Sequence, residues 1–412
     1  MNAPVKRENK KRMQPKENGS VLVLVAVSMV FFFFMMSLAL DLGWMVLTRN
    51  ELQNAADASA LAGAAQLIDE DILEGQPDQT DDIVMTRDYA ELFAGQNSAA
   101  KRALLVDRND ANDENGGVVA GYIQDPLDLN SVLQTEGISI YNSVRVETRL
   151  AQEINGPLAL FLGEFTGVDS VEMAARATAT IDNRVAGFSI NEDEMLQMLP
   201  FSLHEDVWDQ GFEDFIACGP VDLTGQRPGG LVLGCFTMDF YMKLLGAIGC
   251  HITPGINIYP NDLDTPGNFG TIDIGPSNNS TDDICEQILY GITPEDIAIV
   301  GGLILSDEDG DGILSKWLEG DTGVSNAVKS AFYAILYETR ILPLHRTVIG
   351  TGNGSQFEIS RFAGVKIIEV HMYGALQDRY IKVEPVQIVA KEAVIDPEAT
   401  AGELVYALSI TQ

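Results

Sequence analysis

Twenty consecutive residues, Val21 to Leu40 (VLVLVAVSMVFFFFMMSLAL), carry no charge, and only Ser28 and Ser37 interrupt the apolar run. At 1.5 Å of rise per residue such a helix is about 30 Å long, one hydrocarbon thickness, so the pattern predicts a single membrane-spanning helix. Beyond it the chain is rich in Ala, Leu and Gln with no proline before Pro77, which predicts that the helix runs on as a stem to about Ile68. Positions 47, 51, 54, 58, 61, 65 and 68 follow alternating four- and three-residue spacing. They predict a stripe of small residues that admits another backbone closely, either the chain's own sheet or a partner helix. Asp41 and Trp44 mark the far edge of the span, where a charge is solvated again and an indole sits in the interface.

The pattern then changes period. Residues 69–135 are polar and acidic, with a helix predicted over about 82–93, and 137–184 reads strand, short apolar helix (Pro157 to Phe165), strand. From 191 to 300 short apolar runs alternate with loop-forming pairs such as Gly219-Pro220, Pro254-Gly255 and Gly275-Pro276. A helix is predicted over 282–290, capped by Ser280 or Thr281 and stopped at Gly291, and another over 325–337. Alternation over 345–350, 356–373 with a break at Gly364, and 379–389 predicts an antiparallel meander. The expected fold class is α+β: one N-terminal transmembrane helix, a helical stem, then a mixed extracytoplasmic region with antiparallel sheets. The expected segments are a basic tail (1–20), the span (21–40), an Ala-rich stem (41–70) and an α+β region (71–190). A loop-rich, cysteine-containing region (191–300) and a last segment of acidic loop, helix and meander (301–412) follow.

Charge sets the orientation. The chain holds 26 Lys+Arg against 60 Asp+Glu, a net charge of −34, which argues against a nucleic-acid partner, since phosphate binding needs clustered cations. Residues 1–20 reverse the balance, with Lys6, Arg7, Lys10, Lys11, Arg12 and Lys16 against Glu8 and Glu17. A basic tail before a span stays in the cytoplasm, so residues 41–412 are expected outside it, anchored in the cytoplasmic (inner) membrane. Two processing routes compete with an intact anchor. Ser37-Leu38-Ala39 has a small-x-small pattern suited to a signal peptidase, although the apolar run is longer than a signal's. A prepilin-type cut after Gly19 would leave Leu24 at the fifth position, where that class has Glu.

Gly19-Ser20, the uncharged span, Asp41-Leu42-Gly43 and above all the block Leu52-Gln53-Asn54-Ala55-Ala56-Asp57-Ala58-Ser59-Ala60-Leu61-Ala62-Gly63-Ala64 resemble the TadE/TadG-like proteins of the tight-adherence (Tad, Flp-type) pilus assembly system. Val144-Arg145-Val146, the apolar Pro157 to Phe165 stretch, Gly167-Val168-Asp169-Ser170 and Ala177-Thr178-Ala179-Thr180 extend the likeness. The resemblance implies a non-enzymatic, membrane-anchored envelope protein that assists pilus assembly or attachment, with Tad assembly proteins or pilins as partners and with oligomerisation through the stem. Many long TadG-like proteins carry a distal Asp-x-Ser-x-Ser metal-dependent adhesion motif; this chain has none, so that type of site is not expected.

The chemistry-bearing residues are few. Cys218, Cys235, Cys250 and Cys285 are clustered and even in number, which in an exported segment suggests two disulfides in one of three connectivities. Free thiols are the alternative, and a zinc site is disfavoured because no C-x-x-C pair occurs and His251 beside Cys250 is not a ligand spacing. Asp307-Glu308-Asp309-Gly310-Asp311-Gly312-Ile313-Leu314-Ser315 matches an EF-hand-type calcium loop: alternating carboxylates of Asp307, Asp309 and Asp311, the Ile313 carbonyl and Ser315. The twelfth position is Leu318 and Glu319 comes one residue late, so Ca²⁺ would bind weakly or an ion-free acidic turn results. Gly350-Thr-Gly352-Asn-Gly354 lies between strand patterns and predicts a hairpin turn rather than a phosphate loop. His204, His251, His345 and His371 are far apart and neither HExxH nor GxSxG occurs, so no enzyme is expected. A calcium-stabilised surface adhesin or binding protein is the alternative reading.

Overall fold

The computed structural model describes residues 20–68, 78–128, 130–163, 167–218, 255–259, 270–276, 280–308, 310–320, 326–374, 379–402 and 404–411. The fold is α+β. Helix α1 (Ser20–Ala64) runs 45 residues without interruption and closes in one 3-10 turn, Ala65–Leu67. Its length follows from an uncharged span joined to an Ala-rich stem with no proline between them. Helix α2 (Thr80–Gln96), with Asp81 and Asp82 in its first turn, returns alongside the stem.

Both helices cover one face of a five-stranded sheet. Its strands are β3 (Val118–Gly121), β4 (Ser143–Leu150), β7 (Met173–Asp182), β16 (Ile388–Val389) and β18 (Val405–Ile410), in the order β16-β18-β7-β4-β3. Period-two alternation sends Val144, Val146, Ala177, Ala179 and Ile181 toward the helices, where Ala56, Ala60, Ala64, Ala90 and Ala94 leave room for close packing. Two short hairpins lie beside this unit: β1 (Ser98–Ala99) with β2 (Arg102–Ala103), and β5 (Leu158–Ala159) with β6 (Ser170–Val171). The apolar stretch expected to be helical from Pro157 thus begins as a strand, because its backbone pairs with 170–171.

A second, six-stranded sheet forms the larger core. It runs β10 (Ile256–Tyr259), β15 (Tyr380–Pro385), β14 (Gln356–His371), β13 (Thr339–Ile349), β9 (Leu203–His204), with β12 (Lys316–Glu319) also on β14. Helices α3 (Glu205–Cys218), α4 (Thr281–Tyr290) and α6 (Asn326–Ala334) contribute Trp208, Ile284, Ile288 and Phe332 to the core on one face. The short α5 (Pro294–Ile299) and a three-stranded sheet, β11 (Leu303–Ile304), β8 (Val185–Phe188) and β17 (Ala393–Ile395), contribute to the core on the other, around Phe188, Ile272, Phe357 and Phe362. The expected cap of α4 is present: Ser280 and Asp283 form a capping box, and Gly291 at φ 98° ends the helix.

Strands β13, β14 and β15 form the expected antiparallel meander, but β14 runs straight through Gly364. A Cβ at Gly364 would stand 2.1 Å from the Val386 carbonyl oxygen and 2.9 Å from that of Leu404. The glycine marks a crossing of backbones instead of a break. The segment 301–412 does not close on itself: it is shared among three sheets, and β18 pairs with β7 in the stem-bound sheet, Ala407 opposite Asp182 through Ile410 opposite Ala179.

Candidate functional site

The stem is the part of the molecule whose contacts explain its sequence. Its buried face holds Asp41, Thr48, Leu52, Ala55, Ala56, Ser59, Ala60, Ala64 and Leu67. The expected stripe at 47, 51, 54, 58, 61, 65 and 68 is not that face, since Leu47 and Asn54 are exposed and none of the seven is fully buried. The reason is compositional. Small residues occur all round this helix, so their spacing does not select a side, and the packed side is the one that meets β4, β7 and α2. At Gly63 an added Cβ would lie 3.1 Å from the Thr86 carbonyl oxygen, and the Thr86 hydroxyl donates to the Gly63 carbonyl at 3.1 Å.

Polar side chains lock this face and its flanks. Gln53 Nε2 donates to the Arg176 carbonyl at 2.9 Å and to Asp57 at 2.7 Å, and Thr148 Oγ1 donates to the Leu52 carbonyl at 2.8 Å. Glu51 accepts from the Ala100 N–H at 2.8 Å in the turn of the β1–β2 hairpin. At the far end Gln79 donates to the Leu67 and Tyr141 carbonyls and accepts from the Tyr141 N–H at 2.7 Å. Asp41 is the largest correction. Expected as a solvated charge, it is 5% exposed, and its carboxylate accepts the N–H groups of Phe161 at 2.6 Å and Leu162 at 2.9 Å. One signal for this was present in the sequence: 41, 45, 48 and 52 recur at helical spacing, on the face that Leu52 buries.

The acidic loop is closed largely by its own backbone. Asp307 accepts from the N–H of Gly310 at 2.8 Å and of Gly312 at 3.2 Å, with both glycines in the left-handed region, and Asp311 accepts from Ile313 N–H at 2.9 Å. Asp311 also takes an ion pair from Arg346 at 3.0 Å, and Arg346 pairs with the buried Glu358. Burial works to raise the Glu358 carboxyl, but hydrogen bonds from Arg346 and Thr347, the Arg346 charge and Ser315 outweigh it and hold the group below the ordinary carboxylate value. Ser315 is bridged to Ser306, while Glu319 stands exposed on β12, its carbonyl accepting from Asp273 N–H at 2.7 Å. Asp309 lies outside the described residues. Among the described residues no three His, Cys, Asp or Glu side chains converge as a metal would need.

The remaining candidates are dispersed. Cys285, half-buried on α4, carries a free thiol held above its ordinary value by burial and then by Asp282, which makes it a weak nucleophile at neutral pH. Cys235, Cys250 and the Cys218 side chain lie outside the described residues, as does His251. His345 is fully buried with Nδ1 2.7 Å from Ser202 Oγ, and its ring meets His204 edge-on; Ser202 is 1% exposed, so this Ser–His pair is sealed from any substrate. His371 lies between Tyr373 and Tyr380. Gly350, at φ 82°, begins the turn joining β13 to β14, as the hairpin reading expects.

Residues 19–66 match the model of the Flp pilus-assembly TadE/G-like family (Tad). Comparison with curated proteins and with solved structures returns no match. The matched segment is the apolar helix and the docked stem, the element whose packing is described above.

Proposed function

We propose that the chain is a membrane-anchored, non-enzymatic component of Tad/Flp-type pilus assembly or anchoring, held in the inner membrane with its N-terminus in the cytoplasm and its head on the other side. The observation that carries this reading is the continuity of α1: one unbroken helix joins an apolar length fit to cross a membrane to a stem bonded along its length to the head. Such a spacer holds a folded head at a set distance and orientation from the bilayer, a scaffold's task. The stem's inward face is taken by the chain's own sheet, so oligomerisation through the stem would use the outward residues Leu47, Asn54 and Ala58. The partners are Tad assembly proteins or pilins.

Crosslinking in intact cells, purification of the tagged chain from membranes and mass spectrometry test this. Co-recovery of pilus ATPase, platform, secretin or minor pilin components is the expected result. Recovery of outer-surface components alone would favour the second reading, a calcium-stabilised adhesin. The observation for that reading is the Asp307–Gly312 turn, whose left-handed glycines and inward carboxylate suit a cation loop, with Arg346 as the group calcium must displace from Asp311.

A further inference from the structure

The first charged residue after the span is hidden. Asp41 spends its carboxylate on the N–H groups of Phe161 and Leu162, and so pins the residues following β5 to the level of the helix where the uncharged run stops. Around that pinned carboxylate the exposed surface of α1 stays apolar for more than another turn, through Leu42 (55% exposed), Val46 (62%) and Leu47 (49%), and the next exposed charge is Arg49. The apolar band from Val21 to Leu47 is therefore about 40 Å long, more than the ~30 Å hydrocarbon core and close to the full bilayer with its headgroup layers.

Residues 158–163 and 167–171 carry exposed apolar side chains at this same level. Phe161 is 66% exposed and Val168 53%, while Leu158 and Leu162 turn inward, the former into the small core against which Trp44, Met45 and Val171 also pack. The Leu160 N–H donates to the Asp169 carbonyl at 3.0 Å, which holds the two sides of the hairpin together. An exposed phenylalanine beside the end of a membrane span, with the intervening carboxylate turned inward and hydrogen-bonded, has the makeup of an interfacial anchor.

We propose that residues 158–163 and 167–171 rest in the headgroup layer of the membrane that α1 crosses, with Phe161 as the inserted side chain, so that the head is seated on the bilayer by two contacts instead of one. The occupant of this surface is lipid, argued from its continuity with the span. The inference rests on the reading of α1 as membrane-spanning.

The test is photocrosslinking of the full chain in native membranes, with benzoyl-phenylalanine placed singly at Phe161, at Phe31 in the span, and at Ile140. Ile140 is exposed and adjoins Tyr141, which Gln79 ties to Leu67 at the other end of the stem, about 40 Å from Asp41. Lipid adducts at 161 comparable to those at 31, with none at 140, are expected. Adducts at 31 without 161 would overturn the hairpin contact and leave the span intact, whereas none at 31 would overturn the span and this inference with it. A protein adduct at 161 in place of lipid, or lipid adducts at all three positions alike, also overturns it.

Discussion

Replacing Gly364 by Ala probes the point where the C-terminal segment leaves the six-stranded sheet for the stem-bound one. The new Cβ would stand 2.1 Å from the Val386 carbonyl oxygen, 2.9 Å from the Leu404 carbonyl oxygen and 3.2 Å from Ile388 Cγ1. Carbon and oxygen approach no closer than about 3.3 Å even in favourable C–H···O contacts, so the chain at 386 must retreat by roughly 1 Å. Both oxygens belong to backbone, and no rotamer relieves the clash. Overpacking of this kind costs about 1–3 kcal/mol, and weakening the Val386 N–H to Gly364 carbonyl bond, now 3.0 Å, adds about 0.5–1.5 kcal/mol. A loss of about 2–4 kcal/mol lowers the folded-to-unfolded ratio roughly 30- to 700-fold. Val386 and Leu404 lead into β16 and β18, so the damage should be local first. Urea unfolding of the full chain in detergent, with hydrogen exchange read on peptides over 386–411 and 173–182, is the assay. Protection at 405–410 and 179–182 should fall before that of α4 and α6. Gly354→Ala, where nothing lies within 4 Å, should leave stability within about 0.5 kcal/mol. An unchanged midpoint for Gly364→Ala would refute the crossing.

Four further outcomes are expected. Asp41→Ala strands the buried Leu162 N–H, at about 1–3 kcal/mol, and frees the part-buried Phe161 N–H, and hydrogen exchange at 161–162 in membranes should rise sharply; unchanged exchange would mean the carboxylate does not hold the hairpin. Ala60→Leu should destabilise by about 1–3 kcal/mol because Ala60 is fully buried against the sheet, while Asn54→Leu on the outward face should be near neutral; the reverse order in thermal unfolding would place the docking face elsewhere. The Glu358 carboxyl is depressed in the folded chain, so its contribution is complete above the unfolded value of about 4.3 and disappears as pH falls through the folded value below that. Glu358→Gln should cost about 2–3 kcal/mol at neutral pH and flatten the acid limb of the stability curve; an unaltered acid limb would discount the Arg346 pair. Under the adhesin reading, calorimetry with Ca²⁺ gives heat that Asp307→Ala removes and Arg346→Met increases; no heat from either the parent or Arg346→Met disposes of the calcium loop.

Local signals were legible in the sequence and distant ones were not. An uncharged run followed by an Ala-rich stretch without proline determined α1, Ser280 and Gly291 determined both ends of α4, and the Gly350 to Gly354 cluster determined the hairpin between β13 and β14. Each is a property of a few neighbouring residues and of the backbone conformations they permit. Which side of the stem is buried was decided by tertiary structure, because a helix with alanines on every side has no apolar face until a sheet arrives. The return of β18 to β7, more than two hundred residues away, has no signature in its own six residues, since strand pairing is chosen by the partner's register and burial. Asp41 makes the same point in one side chain. Its place at the end of an apolar run reads as a return to water, and only the arrival of the Phe161 and Leu162 N–H groups, 120 residues later, turns a solvated charge into a buried anchor.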